Sequence, residues 1–254
     1  TNSIYKILMA IIQKRLAEQI DKHLQKTQYG FRKGKSTAHA IHIIRRLMDV
    51  GYRAGQRFSM VLLDWEKAFD KVDQDMLHKA LDRMNVPEKY MNLIREAYKN
   101  PTFNIQIDGM ESEWKKQETG IRQGCPLSPY LFLIIMSVMF HDIHQDEELE
   151  AELKADRVIG SLFDEMLYAD DTIIHSTNAD ILEKLLHRIE VEGEKYGLRF
   201  NHSKCEALTI RGTTVIKFRN GNTLKELDES KYPGRFLNNP TDANREINKR
   251  MGDV

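Results

Sequence analysis

Two adjacent carboxylates stand in Leu167-Tyr168-Ala169-Asp170-Asp171-Thr172, between the short β-prone runs Met166-Leu167 and Ile173-Ile174. The pattern predicts a tight hairpin with Asp170-Asp171 at or beside its turn. Side-by-side carboxylates repel, so the pair calls for a cation or for full solvation. An isolated Asp-Asp is most simply a solvated turn. A second stretch changes that reading. Val61-Leu62-Leu63-Asp64-Trp65-Glu66-Lys67-Ala68-Phe69-Asp70 is a hydrophobic strand whose first polar residue is again a carboxylate. A third, Arg122-Gln123-Gly124-Cys125-Pro126-Leu127-Ser128-Pro129, lies between them. There Gly124 lets backbone approach a ligand, and Gln123 can hydrogen-bond an edge of it.

The elements that must position these residues are legible from periodicity. Apolar residues at Ile4, Ile7, Leu8, Ile11, Ile12, Leu16 and Ile20 predict a helix over 4–24, with Lys14, Arg15 and Lys22 interleaved. Gln28-Tyr29-Gly30-Phe31-Arg32-Lys33-Gly34-Lys35 follows, a loop with glycines and cations able to approach phosphate. Ser36 or Thr37 would cap an amphipathic helix over 38–52, with Ile41, Ile44, Leu47 and Met48 inward. Residues 58–63 read as the strand that ends at Asp64. Helices are expected over 74–84 and 87–98, with Pro87 at a first helical position. An Asp108-Gly109 turn predicts a hairpin of 102–108 with 112–119 and alternating side chains. Pro126 to Ser128 open a buried helix reaching about 142, and 145–156 reads as an exposed, charged insertion. A helix over 180–196 and strands at 206–210 and 215–219 complete the pattern, with Asn220-Gly221-Asn222 turning the chain.

Composition narrows the class. With 254 residues and 41% apolar content the chain can build a substantial core. No run of eighteen apolar residues occurs, so no membrane span is expected. The start, Thr1-Asn2-Ser3, has neither an initiator Met nor a signal-peptide pattern, and a fragment of a longer protein is expected. Cys125 and Cys205 have no Cys-x-x-Cys spacing, which supports neither a zinc site nor a disulfide framework and fits a reducing, intracellular compartment. Net charge is zero, but residues 1–60 hold twelve Lys/Arg against three Asp/Glu, and residues 141–194 hold four against sixteen. A basic first part beside an acidic remainder suits a phosphate-rich partner held on one side.

The ordered set of stretches resembles motifs A, B and C of reverse transcriptases, most nearly those of non-LTR (LINE-type) retrotransposons. Gln28 to Arg32 resembles a fingers motif of the family, and 197–204 resembles motif D. Lys231-Tyr232-Pro233-Gly234 stands where motif E, the primer grip, is found, but Pro233 replaces the apolar residue usual there. The likeness spans about 4–240. It implies an α+β right-hand polymerase fold: a basic fingers-like region over 1–57, a palm over 58–234 with an antiparallel sheet backed by helices, and a thumb only begun at 235–254. It implies an RNA-directed DNA polymerase that extends a DNA primer on an RNA template with deoxynucleoside triphosphates, with flanking nuclease and thumb domains in the parent polyprotein. Two Mg²⁺ ions, or Mn²⁺ in their place, would be held by Asp64, Asp170 and Asp171 and by the Trp65 carbonyl. Lys204 would supply a proton or charge to the leaving pyrophosphate. Arg32, with Lys35 and Arg15 behind it, would neutralise the incoming triphosphate. Arg122, Gln123 and Gly124 would line the template and nucleotide pocket, and Phe69 would exclude a 2′-hydroxyl. The alternative is a decayed or non-catalytic nucleic-acid-binding remnant of such a domain.

Overall fold

A computed structural model of the chain describes residues 3–232 and 235–238. Its centre is a five-stranded sheet in the order β6-β7-β1-β8-β9. The strands are β1 (Phe58–Leu63), β6 (Glu165–Tyr168), β7 (Asp171–Ser176), β8 (Glu206–Ile210) and β9 (Lys225–Glu226). All pairs are antiparallel except the edge pair of β8 with β9, which is parallel. Every residue of β1 is buried. Strand alternation sends its side chains to two cores. Phe58, Met60 and Leu62 join one core with α2 (Thr37–Arg53), while Val61 and Leu63 join the other. The second core is built on α6 (Ser128–Ile143), a helix buried on nearly all sides, with α4 (Gln74–Arg83) and α8 (Ala179–Lys195) packed against it.

The remaining elements frame this sandwich. They are α1 (Ser3–Ile20), which runs on into a 3₁₀ turn at Asp21–His23, the one-turn α3 (Ala68–Lys71), α5 (Glu88–Ala97) and α7 (Glu147–Ala155). Two small ladders follow α5: β2 (Thr102–Phe103) with β5 (Lys115–Lys116), and β3 (Gln106–Ile107) with β4 (Met110–Glu111). A hairpin of β10 (Glu229–Tyr232) and β11 (Arg235–Asn238) adds Tyr232 and Leu237 to the α2 core. Among the described residues no helix is long and apolar enough to cross a membrane.

Several expectations are corrected. Pro87 is the N-cap of α5, outside the helix, where its missing N–H is irrelevant. The Asp108-Gly109 hairpin exists, but all its paired residues are exposed, so no burial imposes an inward and outward face. The segment 145–156 is a capped helix whose Leu149 and Leu153 are buried, and Asp146 accepts the Leu149 N–H at 3.2 Å. Residues 215–219 form no strand, only an isolated Lys217–Thr223 bridge. On α1 the buried residues are Met9, Ile12, Leu16 and Ile20, while Ile4, Ile7, Leu8 and Ile11 are exposed. Several carboxylates of the acidic stretch 141–194 are paired within the fold: Arg157 grips Asp164, Lys184 meets Glu152, and Arg188 and Lys195 both meet Glu192. Pro233, Gly234 and 239–254 lie outside the described residues.

Candidate active site

The sheet register brings the carboxylates together. β1 and β7 pair with Leu63 opposite Thr172. One further step sets Asp64 beside Asp171, on the parity that carries Phe58, Met60 and Leu62. Across the β6–β7 hairpin Tyr168 pairs with Asp171, which leaves Ala169 and Asp170 as a two-residue loop. Asp171 is therefore the first strand residue, one place later than a turn position. Burial raises the Asp170 carboxyl above the usual carboxylate range, and the charge of Asp64 adds to the rise. Asp171 is pushed up to about 6 by burial first, then by the fields of Asp170 and Asp64. The charge of Asp64 thus acts on Asp170 and Asp171, and carboxylates so close together are hard-oxygen donors of the kind a divalent cation takes. Among the described residues no group of three His, Cys, Asp or Glu closes around a common point. A small divalent ion that keeps several water and phosphate ligands does not need such a cage.

Asp64 is fastened from behind. Its N–H donates to Cys205 Sγ at 3.4 Å, and its carbonyl accepts from Asn201 N at 2.8 Å. Glu66 N donates to Arg199 O at 2.8 Å, so the Trp65–Phe200 bridge is bonded through its neighbours. Trp65's own carbonyl therefore points to the opposite edge, toward β7. The Trp65 indole N–H donates to Thr172 Oγ1 at 3.3 Å, tying the two strands beside the carboxylates. Burial pushes the Cys205 thiol up to about 12, which keeps it neutral next to Asp64. Nothing in its spacing marked Cys205, because its partner is 141 residues away.

The other predicted residues divide into two groups. Phe69, partly buried, stacks on Phe132 with ring centroids 5.0 Å apart. Gln123 is exposed and its Nε2 donates to Asp70 Oδ1 at 2.8 Å. Arg122 lies over the Tyr5 ring at 5.2 Å, and Gly124 has φ +76 with open space where a Cβ would stand. Asp70, Arg122 and Gln123 line an open groove of about 910 Å³ together with Phe103, Trp114 and Lys116. Lys204 is exposed one residue before Cys205. These placements leave the expected roles open to the chain.

Arg32 and Lys35 are turned toward the protein. All five N–H donors of Arg32 are engaged within the protein: Nε and Nη2 on the Asp21 carboxylate, Nη2 also on Asp21 O, and Nη1 on Gln25 O and Gln28 O. Lys35 Nζ donates to Lys26 O and Gln28 O and sits over the Tyr29 ring, and desolvation, then Arg32, lowers its pKa to about 8. Both cations hold carbonyls of the 25–28 loop, Arg32 those of Gln25 and Gln28 and Lys35 those of Lys26 and Gln28. Arg15 is exposed on α1.

That loop also shows what sequence reasoning missed. Thr27 to Tyr29 runs beside β6: Tyr29 N donates to Leu167 O at 2.8 Å and Leu167 N to Thr27 O at 3.0 Å. Gln25 and Thr27 both donate to the buried carboxylate of Glu165, which also meets His144 Nε2 at 3.2 Å.

The family model described as "Reverse transcriptase (RNA-dependent DNA polymerase)" matches residues 1–238. The Pol polyprotein of the type-1 retrotransposable element R2 of Nasonia vitripennis is 26% identical over 210 residues, 82% of this chain and 20% of that protein. The RNA-directed DNA polymerase from the mobile element jockey of Drosophila melanogaster is 26% identical over 260 residues, 96% of this chain and 27% of that protein. The chain thus spans about a quarter or less of these relatives. A solved telomerase from Candida tropicalis, in complex with a TWJ fragment of telomeric RNA, superposes with a TM-score of 0.61 at 15% identity, over 92% of this chain and 36% of that one. A telomerase from Candida albicans with the same kind of RNA fragment gives 0.59 at 15% identity, over 93% and 36%. At such identities the likeness speaks for the fold alone, and the fold is that of a right-hand polymerase. Taken with the match over residues 1–238, it places the chain in the reverse transcriptase (RNA-dependent DNA polymerase) family.

Proposed function

We propose that the chain is the fingers and palm part of a non-LTR retrotransposon polymerase that extends a DNA primer on an RNA template. The observation that carries this is the β1–β7 register, which sets Asp64 beside the Asp170-Asp171 hairpin. Residues 1–57 would serve as fingers and 58–234 as palm, with thumb and nuclease supplied elsewhere in the parent protein. Asp64, Asp170 and Asp171, with the Trp65 carbonyl, would hold two Mg²⁺ or Mn²⁺ ions, which when bound stabilise attacking and leaving oxygens of an in-line displacement. The chain's own groups then do the rest. Mutual repulsion of the carboxylates makes the site take up positive charge readily. Phe69, braced by Phe132, would pack against the sugar of a deoxynucleoside triphosphate. Arg122 and Gln123 line the groove where template and nucleotide would lie, and Gly124 follows them in the chain. Lys204, free in solvent beside the Asp64 fastening, would give a proton to the departing pyrophosphate.

The test is primer extension by the complete parent protein with Mg²⁺. Asp64→Asn and Asp170→Asn should each lose activity by about a thousandfold or more while duplex affinity stays within a few fold. Extension retained in either variant would overturn the assignment of the carboxylates.

A further inference from the structure

The Gln28 side chain is fully buried and spends both ends of its amide on one distant residue. Its Oε1 accepts from Ala169 N at 2.9 Å and from Gly30 N at 2.8 Å, and its Nε2 donates to Ala169 O at 3.2 Å. Ala169 is the first residue of the two-residue loop and has φ +57. The favoured two-residue hairpin turns need φ > 0 at this position and fill it with Gly, Asn or Asp, because a Cβ is crowded there. An alanine stays in it only where the surroundings hold it. The surroundings here are Gln28 and Gly30. A Cβ on Gly30 would stand 2.3 Å from Ala169 N, so the two backbones are seated directly on each other.

We propose that Gln28 is a positioning residue for Asp170: it locks the Ala169 backbone, and with it the direction of the next carboxylate. This rests on the assignment of Asp170 to the metal-facing set. The roles of Arg32 and Lys35 follow from it. Both donate to the Gln28 carbonyl, at 3.2 and 2.8 Å, and so hold the clamp's own backbone. The Gln-x-Gly-Phe-Arg loop acts as one part: cations fix Gln28, Gln28 fixes Ala169, and Ala169 aims Asp170. Glutamine suits the position because it both donates and accepts. A glutamate keeps the acceptor, loses the donor and adds a charge beside Asp170.

The experiment uses the complete parent protein with Mg²⁺ and compares Gln28→Met, Gln28→Glu, Ala169→Gly and the Gln28→Met/Ala169→Gly pair, with Asp170→Asn as control. Gln28→Met is expected to lower kcat about thirtyfold and to raise the Mg²⁺ concentration for half-maximal rate several fold, with duplex affinity within about twofold. The Ala169 amide should exchange with solvent at least about tenfold faster, while the β1 amides keep their protection. Glycine adopts φ +57 without crowding, so in the Ala169→Gly background the Gln28→Met loss should shrink several fold. Unchanged kcat, unchanged Ala169 exchange, or strictly additive effects of the two substitutions would each overturn the proposal. Should Gln28→Met lower the melting midpoint by more than about 10 °C, Gln28→Glu decides: reduced kcat with intact duplex binding supports the clamp, and full kcat overturns it. If Asp170→Asn still extends primers, the underlying assignment fails. If Asp170→Asn is inactive and Gln28→Met is not impaired, only the clamp fails.

Discussion

Arg32 and Asp21 meet fork to fork, with Nε donating to Oδ1 at 3.0 Å and Nη2 to Oδ2 at 2.9 Å. The Arg32 side chain is 8% exposed and its remaining N–H groups hold three backbone carbonyls. Lysine is a point charge with three donors and cannot reproduce this planar pattern. Arg32→Lys should therefore cost about 2 kcal/mol in urea unfolding, below the full value for a buried pair because Asp21 is partly exposed. The KM for deoxynucleotide should stay within about twofold. A raised KM with unchanged stability would return Arg32 to the triphosphate.

Phe69 lies five residues after Asp64, and its ring is held against Phe132 at an interplanar angle of 19°. A braced ring penalises a 2′-hydroxyl by bulk, where a loose one would yield. Phe69→Val should reduce discrimination against ribonucleotides at least tenfold in kcat/KM, about 1.4 kcal/mol of transition-state binding. Equal losses for both nucleotide classes would mean that the ring is only packing.

His144 bridges Glu150 through Nδ1 at 2.8 Å and Glu165 through Nε2 at 3.2 Å. Burial opposes its charge, but the hydrogen bond and field of Glu165, then those of Glu150, outweigh it and push the imidazole up to about 9. The folded pKa lies above the unfolded value of about 6.5. The stabilisation is therefore complete below about pH 6.5 and is lost as pH rises through 9. His144→Gln should cost about 2–3 kcal/mol at pH 6 and much less at pH 10, read from urea unfolding at each pH. A cost independent of pH would assign His144 to packing.

Both cysteines are buried and free. The Cys205 thiol has its pKa pushed up to about 12 and is engaged with the Asp64 backbone. A thiol so placed is inert, since the thiolate is the reacting species. Labelling by a neutral maleimide should proceed only at the rate of unfolding, and added urea should accelerate it in step with loss of structure. Prompt labelling of Cys205 in native buffer would show that the segment holding Asp64 opens on its own.

Much of this protein is written locally. β1 and β8 fall at 58–63 and 206–210, where mainly apolar, β-prone residues cluster, because strands buried on both faces draw on such residues. Helices α2, α4 and α8 fall within a residue or so of their apolar periods, and the acidic turn is recognisable from carboxylates between β-prone flanks. Family membership was legible for the same reason: its signatures are short, contiguous and in order. Tertiary structure decided what depends on partners far along the chain. The five-strand order sets Asp64 beside Asp171, over 100 residues on. The burial of Leu149 and Leu153 turns a charged stretch into a packed helix. Periodicity treats Arg32 as a cation near a glycine loop, and only the folded positions of Asp21, Gln25 and Gln28 show its donors engaged. Gln28 stands in the stretch that resembles a fingers motif, but nothing local tells what its amide bonds: an amide's partner is chosen by where two backbones come to rest, and here it is Ala169 only once β6 has docked beside the 27–29 segment.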